Sequence, residues 1–174
     1  MSDNNCVFCL IGSNRIQSAK IYEDDDVVAF LDIRPASEGH VQVISKQHAP
    51  LISMLDVNVR NKIFNTALNI GSGMVSKLGA AGVSYLINEG AGAGQRVPHA
   101  GIQVIPRYEG DNVNINLNEK EYNQEEINTY LQSVIKKLQS SIPEKKEKII
   151  EKKPEPEKPE QEEVVVEERV PKYW

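Results

Sequence analysis

The sequence predicts an α+β domain: a mostly antiparallel sheet with one long crossover helix and a C-terminal helix, followed by a disordered tail. Three observations carry this expectation. Short β-branched runs occur between residues 21 and 45 and again between 83 and 105. One stripe of apolar residues at helical spacing separates the two groups. From residue 143 to 163 the chain holds only Pro, Glu, Lys, Gln and two Ile; so little apolar surface cannot offset the entropy lost on ordering a backbone.

The elements follow in order. Residues 21–23 and 27–31 flank Asp24-Asp25-Asp26 and read as a hairpin. Val41, Val43 and Ser45 alternate with Gln42 and Ile44, a third strand opening just after Gly39-His40. Over residues 56–78, Val59, Ile63, Ala67, Ile70, Met74 and Leu78 recur every three or four positions, as one face of a long helix does. Residues 83–87 form a short β-branched run before a Gly-rich stretch. Residues 102–105 form another strand, which Pro106 is expected to stop. Asn123 and Glu126 make a capping-box start for a last helix carrying Ile127, Leu131, Val134 and Leu138. The expected organisation is a domain over 1–142, a disordered linker over 143–163 and an apolar segment over 164–174. That last segment, with Val164, Val165, Val166, Val170, Tyr173 and Trp174, either folds back on its own domain or docks a protein partner.

Composition narrows the function. A formal charge of −5 argues against nucleic-acid binding through a basic surface. No apolar run is long enough to span a bilayer. Two Cys cannot build a disulfide framework, and Met-Ser-Asp-Asn-Asn-Cys lacks a signal-peptide profile, so a cytoplasmic protein is expected.

Two motifs stand out. Cys6-Val-Phe-Cys9 reads as a redox pair, as half of a zinc site or as two ordinary thiols. Zinc needs two more N or S ligands, and the chain offers His40, His48 and His99. Asn88-Glu-Gly-Ala-Gly-Ala-Gly94-Gln95 follows a strand, where small residues let backbone N–H groups approach an anion. It is neither a Walker A motif nor GxGxxG, and a flexible connection is the other reading.

Taken together the blocks resemble the histidine-triad (HIT) superfamily of small nucleotide-binding proteins. They are Cys6-Val-Phe-Cys9; Val28-Ala-Phe-Leu-Asp32-Ile-Arg-Pro35; Gly39-His40-Val-Gln-Val-Ile-Ser-Lys46 with His48; Asn88-Glu-Gly90 with Gly94-Gln95; and His99-Ala-Gly101-Ile-Gln103. The resemblance covers about residues 6–110. It implies that Asp32 accepts from ribose hydroxyls, that Phe30 and Ile33 lie near a purine base, and that Asn88, Gly94 and Gln95 lie beside phosphates. It also implies, from the zinc-bearing branch, a structural Zn2+ held by Cys6, Cys9, His48 and His99, and a homodimer. His40 is left to support the pocket.

The triad is degenerate. Its middle His, the family's covalent nucleophile, is Gly101 here, and its third position is Gln103, whose amide binds phosphate oxygens in branches with that pattern. Arg96 stands where one hydrolase branch has Ser and either meets a phosphate or faces solvent. The resemblance therefore implies a protein that binds a purine nucleotide or related phosphate ester without covalent hydrolase or transferase activity. Loss of the imidazole is expected to open room beside the phosphate, and Gly101→His to generate activity. Two further readings stay open: an adaptor acting through its tail, and an active hydrolase or nucleotidyltransferase carrying an inactivating substitution at Gly101.

Overall fold

The computed structural model describes residues 5–114, 120–139 and 141. The linker and docking segment expected over 143–174 lie outside the described residues. The chain divides into two compact units after residue 117.

The first unit contains α1 (Val7–Gly12), β1 (Lys20–Glu23), β2 (Val27–Leu31), β3 (Val41–Ser45), a 3-10 turn (Ile52–Met54), α2 (Val57–Leu78), β4 (Gly82–Leu86), a second 3-10 turn (Ala91–Ala93) and β5 (Gly101–Arg107). The strands form one sheet in the order β1-β2-β3-β5-β4, every neighbouring pair antiparallel. β3 and β4 therefore run parallel, with α2 as their crossover and β5 between them.

Local chemistry explains the joints. At the β1–β2 turn the Asp24 carboxylate accepts from the N–H groups of Asp26 (2.8 Å) and Val27 (2.7 Å), so the acidic run closes a hairpin. α2 starts on Asp56, whose Oδ1 accepts from the Asn58 N–H at 2.8 Å, and ends on Gly79 at φ +70°, a conformation that favours glycine.

Both sheet faces are covered over much of their area, which is why β2 and β3 read as nearly continuous apolar runs. On one face Val27, Ala29, Val41, Val43, Ile102 and Val104 pack under Ile63, Ala67 and Met74 of α2. On the other, Val28, Phe30 and Ile44 pack under Ile11, with Phe8 against them. Ile63 is fully buried, and each such aliphatic side chain contributes roughly 1.5–3 kcal/mol. Leu78, expected on the buried stripe, is exposed at the helix end, while Gly71 takes a buried place. A Cβ on Gly71 would stand 2.0 Å from the Tyr85 hydroxyl of β4, so only a residue without a side chain lets that ring lie against the helix.

Pro106 does not stop β5. The strand runs to Arg107, and Pro106 pairs with Val83 on β4. The physical reason is directional. The Pro106 carbonyl accepts from Ser37 Oγ, beyond the end of β3, and the missing N–H lies on that same side, so no ladder bond is lost.

In the second unit, α3 (Gln124–Gln139) begins with the expected reciprocal cap. Asn123 Oδ1 accepts from the N–H groups of Glu125 and Glu126, while the Glu126 carboxylate accepts from the Asn123 N–H at 3.1 Å.

Candidate functional site

Cys6, Cys9, His48 and His99 are brought together, one ligand atom from each lying within 4.8 Å of every other. The spacing of the two cysteines has a local cause. Cys6 is the N-cap of α1 and Cys9 lies in its first turn, so residues three apart present both sulfurs on one side. The histidines arrive by continuation of the sheet. Ser45 N–H donates to Ala100 O and Ala100 N–H to Ala49 O, extending β3–β5 pairing past the strand ends and setting His48 beside His99.

The contacts are Cys6 Sγ to His99 Nδ1 at 3.4 Å, Cys9 Sγ to His48 Nδ1 at 3.3 Å and Cys9 Sγ to His99 Nδ1 at 3.7 Å. Tetrahedral zinc, with bonds of about 2.3 Å to sulfur and 2.0–2.1 Å to nitrogen, has ligand–ligand edges of about 3.3–3.8 Å. The donor set therefore fits such an ion. Orientation fits as well: His99 Nε2 donates to the Ser45 carbonyl at 2.8 Å, leaving Nδ1 for the cluster. Burial holds the His99 pKa below its usual value, against that hydrogen bond, and keeps the ring in the neutral form a metal requires.

The sheet face opposite α2 carries a second group. Phe30, Gln42, Ile44, Gly101 and Gln103 share it by strand alternation and register, with Gln42 opposite Phe30 on one side and Gln103 on the other. Asp32, just past β2, accepts from the Arg34 N–H on Oδ1 and from Gln42 Nε2 on Oδ2, both at 2.7 Å. His40 is buried, its Nδ1 accepting from the Ala36 N–H (3.2 Å) and lying 3.9 Å from Asp32 Oδ2. Burial lowers its pKa, Asp32 opposing and Arg96 adding to the shift, so the ring is neutral with its proton on Nε2.

Gly101 departs from expectation. The room expected beside this position is not found at its Cβ. A Cβ at this position would meet Ile44 Cγ2 and the Val43 carbonyl oxygen, each at 2.9 Å. Since one of those contacts is backbone, turning a side chain does not relieve it, and no side chain fits at this strand spacing without a shift.

The Gly-rich loop is built as one 3-10 turn between Gly90 (φ +88°) and Gly94 (φ +81°), both at positive φ, which favours glycine. Gln95 braces it. Its Oε1 accepts from the Gly90 N–H at 2.8 Å and its Nε2 donates to the Pro50 carbonyl at 2.7 Å. Its amide is thus engaged with the loop's own backbone. Asn88 is half-buried, its Nδ2 3.7 Å from the place a Gly94 Cβ would take. Arg96 is exposed, Ile33 is 91% exposed, and Phe30 is buried among Ile11, Val28 and Ile44 rather than open to a base. Gln42, Ile44, Ser45 and Phe8 were given no part in a site by the sequence; the ring of Phe8 meets both Phe30 and His99 edge-on. Only Gln42 left a signal, as a long amide inside an apolar strand.

Residues 13–110 match the HIT domain, and Protein hit of Bacillus subtilis (strain 168) is 34% identical over 140 residues, 79% of this chain and 97% of that protein. The chain belongs to the HIT domain family. Adenylylsulfatase HINT3 of Arabidopsis thaliana is 36% identical over 108 residues, 62% of this chain and 55% of that one. The solved structure of a Zn-bound histidine triad family protein from Mycobacterium smegmatis aligns with a TM-score of 0.59 at 31% identity, over 79% of this chain and 98% of that one. The matched HIT domain begins at residue 13, so Cys6 and Cys9 precede it while His48 and His99 lie within it.

Proposed function

We propose that this HIT protein binds a purine nucleotide, or a related nucleotide phosphate ester, on the sheet face opposite α2 and does not cleave it by a covalent histidine route. One observation supports the absence of that route: Gly101, at the position the resemblance gives to the family's nucleophile, is walled by Ile44 and the Val43 carbonyl. Without a nucleophile the site retains only binding and oriented donors. Asp32 supports ribose recognition as a held carboxylate that remains 21% exposed, and the name of the Arabidopsis relative supports an adenylyl compound. Gln103, Asn88, Arg96 and the backbone of Gly94 are the groups assigned to the phosphate end; Gln95 acts there through the loop it braces. Calorimetric titration with AMP is expected to show binding. Incubation with adenosine phosphoramidate is expected to show no turnover above a buffer control, and multiple turnovers would overturn the reading.

Cys6, Cys9, His48 and His99 would hold zinc. Four protein ligands leave no open position, so the ion supplies a structural tie between α1, the loop after β3 and the start of β5. The relative of known structure that is Zn-bound supports this assignment. Elemental analysis of the purified protein is expected to give about one zinc per chain, abolished in Cys9→Ser; a metal content unchanged in that variant would overturn the assignment. A homodimer is the matching proposal for assembly. β4 is a sheet edge, and Phe64, Leu68 and Val75 form an exposed apolar stripe on α2. Light scattering at the monomer mass would overturn it.

A further inference from the structure

The Asp32 carboxylate is held in one orientation by two donors on opposite oxygens, and they differ in kind. The Arg34 N–H on Oδ1 belongs to the turn Asp32 itself begins. The second donor, Gln42 Nε2 on Oδ2, is a side chain reaching over from β3. Its amide must point this way, because the other orientation would set its carbonyl oxygen against a carboxylate oxygen.

Among the described residues, no other side chain takes Gln42's place. The nearest candidate, His40 Nδ1, lies 3.9 Å from Oδ2 and already accepts from the Ala36 N–H, so it has no proton to offer. Gln42 is itself 9% exposed in a strand whose other four residues are also buried, a costly place for an amide unless its partner repays it. Ile44 and Gly101 close the sheet face on one side of it.

An ionised carboxylate has about four acceptor positions, two on each oxygen. Arg34 and Gln42 use one on each oxygen, leaving one free on each. Two free positions on one fixed, planar group match two adjacent hydroxyl donors.

We infer that Gln42 is a positioning residue that presets Asp32 for a vicinal diol, making the site select a ribonucleotide over its 2′-deoxy counterpart. This rests on the nucleotide reading above. With Gln42 removed, Oδ2 loses its only side-chain donor among the described residues, and the Arg34 N–H alone is left to set the carboxylate's turn about its last bond. A single hydroxyl can still be followed by a turning carboxylate. A pair cannot be met without ordering it first.

The test is calorimetric titration of the full chain with AMP and with 2′-deoxy-AMP, on the wild type, Gln42→Leu and Gln42→Met. Both variants put an apolar side chain of similar volume in β3, and either carries the readout if the other does not fold. The wild type is expected to favour AMP by about ten-fold or more, the scale of one hydrogen bond to a charged group. In the variants AMP weakens far more than 2′-deoxy-AMP and the preference falls to about two-fold. Equal affinities in the wild type, or an equal loss for both ligands in the variants, would overturn the role of Gln42 and leave nucleotide binding standing. A wild type that binds neither ligand would overturn the nucleotide reading, and this inference with it.

Discussion

Gly101 is held to glycine by its cross-strand neighbours. Both atoms that a Cβ would meet belong to β3, one of them to the backbone, so any side chain here must push two paired strands apart. Gly101→Ala is expected to destabilise the fold by about 1–3 kcal/mol, the usual cost of overpacking, in a urea melt. Gly101→His is expected to cost more and to give no phosphoramidate turnover, contrary to what the degenerate triad suggests from sequence; a stable, active variant would show that the strand spacing yields. The four metal-cluster residues were legible only through the order of distant blocks, since Cys6 and His99 are 93 positions apart and nothing local joins them. The wall formed by Ile44 was not legible, because it depends on the distance between two strands rather than on any residue's identity. At Gln95, expected beside phosphates, the amide oxygen and nitrogen meet groups of the loop and its flank, a bracing contact that sequence alone does not reveal.

The contact between α2 and β4 depends on a small residue facing a large one. Gly71 leaves space that the Tyr85 hydroxyl end occupies, so Gly71→Ala is expected to displace that half-exposed ring, alanine's helix propensity offsetting about 1 kcal/mol of the cost. In a Tyr85→Leu background the same substitution is expected to cost markedly less, and a double-mutant cycle reads the coupling. Strictly additive losses would show that the ring and the glycine act independently. The longer elements were well marked in the sequence. The α2 stripe placed Ile63, Ala67 and Met74 in the core, and the Asn123–Glu126 box marked the start of α3. α1 went unread, being six residues long with a Cys N-cap that makes no side-chain cap bond. β5 was cut short because a proline is read without knowing which side of the strand its missing N–H faces.

An antiparallel sheet with one long crossover followed from the order of periodicities, whereas the insertion of β5 between β3 and β4 did not, since no local pattern in the sequence specifies which strands pair. The hairpin is joined to its surroundings by charge. Glu23 bonds Lys20 at 2.8 Å and Lys46 at 2.7 Å, and these ammonium groups, Lys20 first, hold its carboxyl down to about 2 from a usual 4.5. A carboxyl lowered on folding stabilises the native state fully above its unfolded value and loses that contribution as pH falls toward the folded one. The gap in melting temperature between the wild type and Glu23→Gln is therefore expected to shrink as pH falls from about 4.5 to about 2, and a constant gap across that window would refute the coupling. The segment from Asp32 to His40 has no regular structure, yet the Asp32 N–H donates to the His40 carbonyl, Ser37 Oγ to Pro106 O and the Tyr108 hydroxyl to Glu38 O. The N–H groups of Asp32, Arg34, Ala36 and His40 are hydrogen-bonded, and they are expected to exchange more slowly than the exposed amides of the same segment. A ligand meeting Asp32 there would find the carboxylate already ordered, and little of its binding free energy would be spent on stilling the chain.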